Sequence, residues 1–470
     1  MSTAGWALSK EAAAVGSQID RQTSDLADSY IEGQISRRTF VTRLLALGLA
    51  PSAVSAVVAG CGSSSSSSGG GGSAAPKELS GTVRFLIGPW SDQEVAHHQH
   101  VAKGFKALHP KVNFTFRLYD WGSAAQQINT SVIEGAHDIY MTTESSYPDY
   151  EAHDTFVDLT PRINDPSFAA QKAKYLYMDR VQSYGPKIIG LPISWHVEDA
   201  MFVNMDMVHA AGYDETFADS WPTFLEAVTK MTKPGKTYGF GIGIQIGGYG
   251  EWYQRLRAAG GSYLTPDLKT VNVNHPAVIE ATQQFADLFK AGIAPPLGTY
   301  TYDNAPAAFA AGKMAIYSSD LATTTTLPKK VPFNWKLLPY PPGPVSRVNF
   351  NDLSLYMINP KSDNQDLMWE VLKWWTDGPN DAYWAGNSGT YPARVDAPNF
   401  GYSKYAAPQL GQAFASFKKY AVGLENFAQW ANVENSAEAE IQNCYSGKET
   451  AQKAVENVAK IVAQQTGAST

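Results

Sequence analysis

Between residues 82 and 141 strand-like and helix-like stretches alternate, and a chain built that way has few folds open to it. Thr82-Val83-Arg84-Phe85-Leu86-Ile87 is rich in β-branched and large apolar residues and is closed by Gly88-Pro89. From Gln93 to His109, residues Val95, Ala102, Phe105 and Leu108 recur near helical spacing, and Pro110 ends the run. Val112 to Leu118 alternates as a half-buried strand does. Ala124 to Glu134 reads as a second helix and Asp138-Ile139-Tyr140-Met141 as a third strand. Strands separated by helices imply a parallel sheet with crossover connections, hence an α/β fold. In open sheets of this kind ligands sit beyond the C-terminal ends of the strands. That rule nominates Trp90 and Ser91, Asp120 and Trp121, and Thr142 through Ser145, a stretch that includes Glu144.

The first part of the chain reads as an address and not as fold. Ser36-Arg37-Arg38-Thr39-Phe40-Val41 precedes an apolar run from Leu44 to Ala59. That run is too short for a membrane span, which needs about 20 residues, and a paired arginine ahead of it marks an export signal. Val58-Ala59-Gly60-Cys61 resembles a bacterial lipobox, which implies that Cys61 carries lipid at the mature N-terminus. The Ser-Arg-Arg-x-Phe pattern resembles a twin-arginine signal. Residues 62–78 contain serine and glycine runs that can bury almost nothing and read as a tether. The expected division is a leader over 1–61, a tether over 62–78 and a folded body beyond.

About 390 residues remain, more than one simple core accommodates, so two lobes are expected. The net charge is −7 with no basic block or stripe, which excludes a nucleic-acid partner from the expectations. Besides Cys61 there is only Cys444, so no intrachain disulfide is expected, and Cys444 reads as a small buried apolar residue.

Further along stand Ile188-Ile189-Gly190-Leu191-Pro192, Phe202-Val203-Asn204, Ser220-Trp221-Pro222, Gly312-Lys313-Met314 and Ile358-Asn359-Pro360-Lys361. In this order they resemble family 1 of the extracellular solute-binding proteins, the group that includes maltose-binding and other sugar receptors of ABC importers. The resemblance spans most of residues 80–465. It departs from the family pattern at Pro222-Thr223, after the tryptophan, and at Met201 and Phe202, where more polar residues are usual. It implies a two-lobed periplasmic-binding-protein fold, type II-like, with three hinge crossings near Trp195-His196, Asn351-Asp352 and Tyr391-Pro392-Ala393-Arg394. Lobe one would comprise 79–195 with 352–391, and lobe two 197–350 with 395–470. It further implies a monomeric receptor, lipid-anchored to the outer face of the cell membrane, that passes its solute to ABC permease subunits and is not an enzyme.

A sugar presents hydroxyls and a C–H face, so its site combines aromatic rings with fixed polar groups. Aromatic and polar residues adjoin at Trp90-Ser91, Asp120-Trp121, Trp195-His196, Tyr249 to Trp252 and Gln429-Trp430. Trp430 also matches by position a stacking aromatic of the maltose-binding branch. Glu144, Asp320 and Asp352 are candidate acceptors for sugar hydroxyls, with Asn351 and Tyr391 on expected crossings and Arg394 as a fork for oxygen atoms. Trp374 and Trp375 fit an apolar helix and are assigned to the core. No metal is expected, since His97-His98-Gln99-His100 lacks acidic or sulfur partners at ligand spacing. No cofactor is expected either. The glycine-rich run 239–248 lacks dinucleotide spacing, and Gly312-Lys313 lacks the rest of a phosphate loop. Two alternatives stay open: a polyamine receptor, or a secreted carbohydrate-active enzyme using two acids among Asp120, Glu144 and Asp320.

Overall fold

The computed structural model describes residues 78–242 and 251–470. Cys61 and Tyr249, and the leader and nearly all of the tether, lie outside the described residues. Strands β1 (Gly81–Ile87), β2 (Val112–Leu118), β3 (Ile139–Thr143) and β4 (Gly190–Val197) come first in the chain. Then follow β5 (Ala200–Asn204), β6 (Tyr238–Ile242), β7 (Met314–Ser319) and β8 (Trp335–Leu338), and last β9 (Asn349–Ile358), β10 (Tyr391–Pro392) and β11 (Ala421–Val422).

They form two sheets. The first runs β10-β4-β9-β3-β1-β2, with β11 pairing β9; the second runs β6-β7-β5-β8. β1 is parallel to β2 and β3, linked by helices Glu94–Leu108 and Ala124–Glu134, as the alternation in the sequence predicts. β9 enters antiparallel between β3 and β4. It is buried along its whole length, which its run Leu353, Leu355, Tyr356, Met357 and Ile358 permits because a central strand has both faces covered.

Two apolar cores divide the body. The first gathers Val83, Phe85, Ile139, Leu355 and Trp375 under the larger sheet. The second gathers Val203, Phe224, Phe240, Ile316 and Val455 under the smaller one. Along β5, Phe202 points into the first core while Met201 and Val203 point into the second, the period of two that a strand imposes. The smaller sheet is therefore covered on both faces, and the apolar Met201 and Phe202, which break the family pattern, are what cover it. The other departure also has a local cause. Ser220 accepts a bond from the Thr223 backbone N–H at 3.2 Å and caps the helix Trp221–Met231. Pro222 falls in the first turn, where a backbone N–H has no partner to lose.

The chain changes lobe three times. Only Glu198 and Asp199 separate β4 from β5. The second change falls inside β9, where Phe350 belongs to the second core and Leu353 to the first. The third is later than Tyr391–Arg394. Tyr391 and Pro392 pair with Trp195 and Ser194 in the first sheet, and Arg394 bridges to Tyr175 of the same lobe. Leu410, Ala413 and Phe417 still belong to the first core, and the second begins at Phe427. β11, beside Asn349 and Phe350, marks the passage. The sequence gives no sign of the intervening helix Pro408–Lys419 returning to lobe one, because a Tyr-Pro pair ending a strand reads the same as a Tyr-Pro pair leaving a lobe.

Candidate functional site

A cleft opens where the two sheets meet. Its first-lobe wall carries Trp90, Trp121 and Thr143, each just past or at the C-terminal end of a parallel strand. Trp90 meets Trp121 edge to face at 5.2 Å between ring centroids, and meets His196 at 4.5 Å. Gly88 makes this possible: a Cβ there would lie 2.7 Å from the Trp121 ring and from the Tyr119 hydroxyl. The buried Trp90 Nε1 has no hydrogen-bond acceptor. The wall thus offers ring surface and a spare donor.

The opposite wall is acidic. Glu198 and Asp199 come from the first crossing, Asp320 from the end of β7, Glu251 from the helix Glu251–Ala258 and Glu438 from the helix Trp430–Tyr445. On the last helix Glu438, Gln442 and Tyr445 all reach the cleft, because spacings of four and three place them on one face. Ser318 donates to Asp199 Oδ1 at 3.0 Å, and the Trp252 backbone N–H donates to Glu438 Oε1 at 2.7 Å. Asp199 Oδ2 and Glu251 Oε1 are buried without a partner. Arg255, one helical turn after Glu251, is electrostatically coupled to Asp199 and Glu251 while its guanidinium lies over the rings of Tyr340 and Phe285, at 4.0 and 4.6 Å.

Burial raises these acids. Glu198 is pushed up to about 8, by desolvation and then by Asp320. Glu251 and Glu438 are also raised, first by burial; each also feels a second acid, Glu438 for Glu251 and Asp199 for Glu438. One proton shared between these two relieves that repulsion.

At the hinge itself His196 Nε2 lies 2.9 Å from Glu198 Oε1, and Asp352, opposite His196 in the β4–β9 register, completes a group within 4.8 Å. An imidazole with two carboxylates is a donor set that suits a transition metal. Burial lowers the His196 pKa, favouring the neutral ring, and raises Asp352 well above the usual carboxylate range.

Residues 91–382, more than half of the chain, match the family described as bacterial extracellular solute-binding protein. The chain belongs to this family. A search of curated proteins by sequence found no match. Among solved structures, the chain is similar to the GacH receptor of Streptomyces glaucescens, determined unliganded and with acarbose (20% identity, TM-score 0.73, covering 84% of this chain and 100% of that one). It is similar to an ABC substrate-binding protein from Listeria monocytogenes in complex with cycloalternan (17%, TM-score 0.72, 82% and 99%). It is also similar to maltose-bound MalE3 of T. maritima (18%, TM-score 0.70, 82% and 99%). At these identities the likeness is one of fold, the two-lobed α/β architecture of periplasmic binding proteins.

Within this family member the residues nominated from sequence separate into three groups. Trp90 and Asp320 line the cleft, as do Trp121 and Thr143 from the same loops, while His196, Asn351 and Asp352 stand at the hinge. Others are turned inward. Trp195 packs on Tyr391 at 4.5 Å, and the Tyr391 hydroxyl donates to the Leu410 carbonyl at 2.8 Å. Trp252 Nε1 donates to Thr282 at 2.9 Å, and Trp430 packs against Tyr253 and Phe350. Arg394 forks onto Asp396 at 2.9 and 3.0 Å. Glu144 is fully buried and accepts from both Arg180 and Tyr184, with Arg180 also reaching Asn351 Oδ1 at 3.0 Å. A third set stays local: Thr142 is buried opposite Leu355, Ser91 bonds His97 at 3.3 Å, and exposed Asp120 accepts from Ser123 at 3.3 Å. Of the histidine run, His98 is buried and lies 2.7 Å from the Tyr356 hydroxyl.

Sequence reasoning passed over Glu198, Asp199, Glu251 and Glu438. The signal was available for Glu438: with Gln442 and Tyr445 it forms a polar line next to the apolar line Ala437, Ile441 and Cys444. Glu251 immediately precedes the nominated Trp252, and the acid, not the ring, faces the cleft.

Proposed function

We propose that this chain is an exported receptor, lipid-anchored at Cys61, that encloses a sugar-class solute between its lobes and passes it unaltered to an ABC permease. The observation that carries this is the cleft between two lobes of a binding-protein fold, with the rings of Trp90 and Trp121 facing carboxylates and the hydroxyls of Ser318, Ser319 and Tyr302. Rings cover the C–H face of a sugar while carboxylates and hydroxyls pair with its hydroxyl edge. A solute touching both walls stabilises the closed arrangement, because only there are both sets of contacts made. Neutral, multi-point capture of this kind asks for no reaction. Of the three acids considered for hydrolysis only Asp320 lines the cleft; Asp120 is exposed and Glu144 is tied to Arg180, so the set does not supply a pair. No helix among the described residues is long and apolar enough to cross a membrane, so membrane attachment in this reading rests on Cys61.

The test is a thermal-shift screen of sugars, polyols and polyamines, since a ligand of the native state raises the melting temperature by mass action. Stabilisation by sugars, with no products after incubation with oligosaccharides, is the expected result. Release of products would replace the receptor with an enzyme, and stabilisation by polyamines alone would replace the sugar.

A further inference from the structure

We propose that the solute of this cleft is a polyhydroxylated amine, an amino sugar or aminocyclitol glycoside, whose ammonium group is held by Asp199 and Glu251 on the wall opposite the tryptophans. This deepens the receptor reading above and rests on it.

Five carboxylic side chains line the cleft and no lysine, arginine or histidine lines it among the described residues. The eight residues between Ile242 and Glu251 are Gly-Ile-Gln-Ile-Gly-Gly-Tyr-Gly, which add no charge of either sign. The nearby guanidinium of Arg255 is one positive charge set against five acids. Burial keeps protons on several of these acids in the empty cleft; an ammonium placed among them favours their ionised form and pairs with it, which a neutral sugar cannot do.

Two atoms await such a donor. Asp199 and Glu251 are only 5% and 8% exposed, yet Asp199 Oδ2 and Glu251 Oε1 have no hydrogen-bond partner. Both residues line the cleft, and they feel one another electrostatically. An ammonium has three donors and no acceptor, so it can bond both carboxylates and leave a third bond for a neighbouring group. Trp90 and Trp121 add ring faces that attract a cation as well as a sugar C–H face. A bare polyamine would use the acids but, with no acceptor when protonated, would leave the spare Trp90 Nε1 donor unmet, whereas a sugar hydroxyl can accept from it. The mixture of hydroxyls, rings and excess acid is matched best by a sugar that carries an amine.

The experiment is calorimetric titration of the full chain with matched ligands: glucose against glucosamine, N-acetylglucosamine as an uncharged control, a deoxystreptamine glycoside, and spermidine. The expected result is that an amine-bearing sugar binds at least about tenfold more tightly than its neutral counterpart. That preference should shrink with added salt, and it should be lost in Asp199→Asn and in Glu251→Gln. Salt dependence is read on the unaltered protein, so it answers even where a variant folds poorly. Equal affinity for glucose and glucosamine overturns the inference and leaves the sugar receptor standing. Binding of spermidine with no sugar of either kind overturns the sugar reading as well. Folded variants that keep the preference overturn the assignment to Asp199 and Glu251.

Discussion

Trp90 follows β1 and Glu144 follows β3, yet the first faces the cleft and the second is buried against Arg180. Trp90 keeps one face at the cleft, so Trp90→Ala is expected to weaken solute binding by about 10- to 100-fold, as loss of a central aromatic contact does. Calorimetry on the folded variant would read that, and because Trp90 is buried in the first core the variant should also lose about 3–5 kcal/mol of stability. Glu144 and Arg180 are an internal ion pair, and Glu144→Ala leaves buried Arg180 without the carboxylate it bonds, with the electrostatic interaction with Asp352 remaining. Such a loss costs about 3–5 kcal/mol, measurable as a lower urea midpoint. The raised acids give a pH dependence. An unfolded glutamate ionises near 4.5, while folded Glu198 keeps its proton to about 8. Between those values the unfolded state binds fewer protons, so the stability that Glu198 contributes at low pH is lost as pH rises through that window. The melting temperature of the unliganded protein should therefore fall from pH 5 to pH 8, and less steeply in Glu198→Gln. A flat profile in the unaltered protein would contradict the burial of that acid.

At the scale of elements, what was legible followed local periodicity. The limits of the helix Ala124–Glu134 and of β2 coincide with the sequence expectation, because Pro110, Gly135 and the alternation of residues 112–118 punctuate them. Where side chains face depended on partners far along the chain. Trp195, Trp252 and Trp430 look like cleft residues in sequence, but Tyr391, Thr282 and Tyr253 draw them into the cores. No local pattern announces a contact across 196 residues. Glu438 was missed for a related reason: it is a cleft acid only because Glu251 and Asp199 arrive from other elements. The turn after β1 offers a test of element positioning. Gly88→Ala places a methyl against Trp121 without demanding an unusual backbone. The ring has to move, so solute affinity should drop by about tenfold while the stability loss stays within about 1–3 kcal/mol.

For the whole molecule, the three passages between lobes lie together beside His196, Asn351 and β11. Closure about such a hinge shortens the particle, and small-angle scattering should record a smaller radius of gyration with solute than without. An unchanged radius under saturating solute would argue that the lobes do not move. The two-lobed plan was visible early, through motifs spaced over most of the chain. The shape of the cleft was not, since its walls come from stretches scattered between residues 89 and 445.

β3 and β4 do not touch; β9 fills the slot between them. During synthesis the N-terminal half of the larger sheet therefore waits, with two raw edges exposed, until Asn349–Ile358 has left the ribosome. Its completion depends on residues made after the whole smaller sheet. A nascent chain cut short before that point would carry a gap the width of one strand through its principal layer, an invitation to stick to its neighbours. For such a protein, the safest moment to cross a membrane is either before any of it has folded or after all of it has.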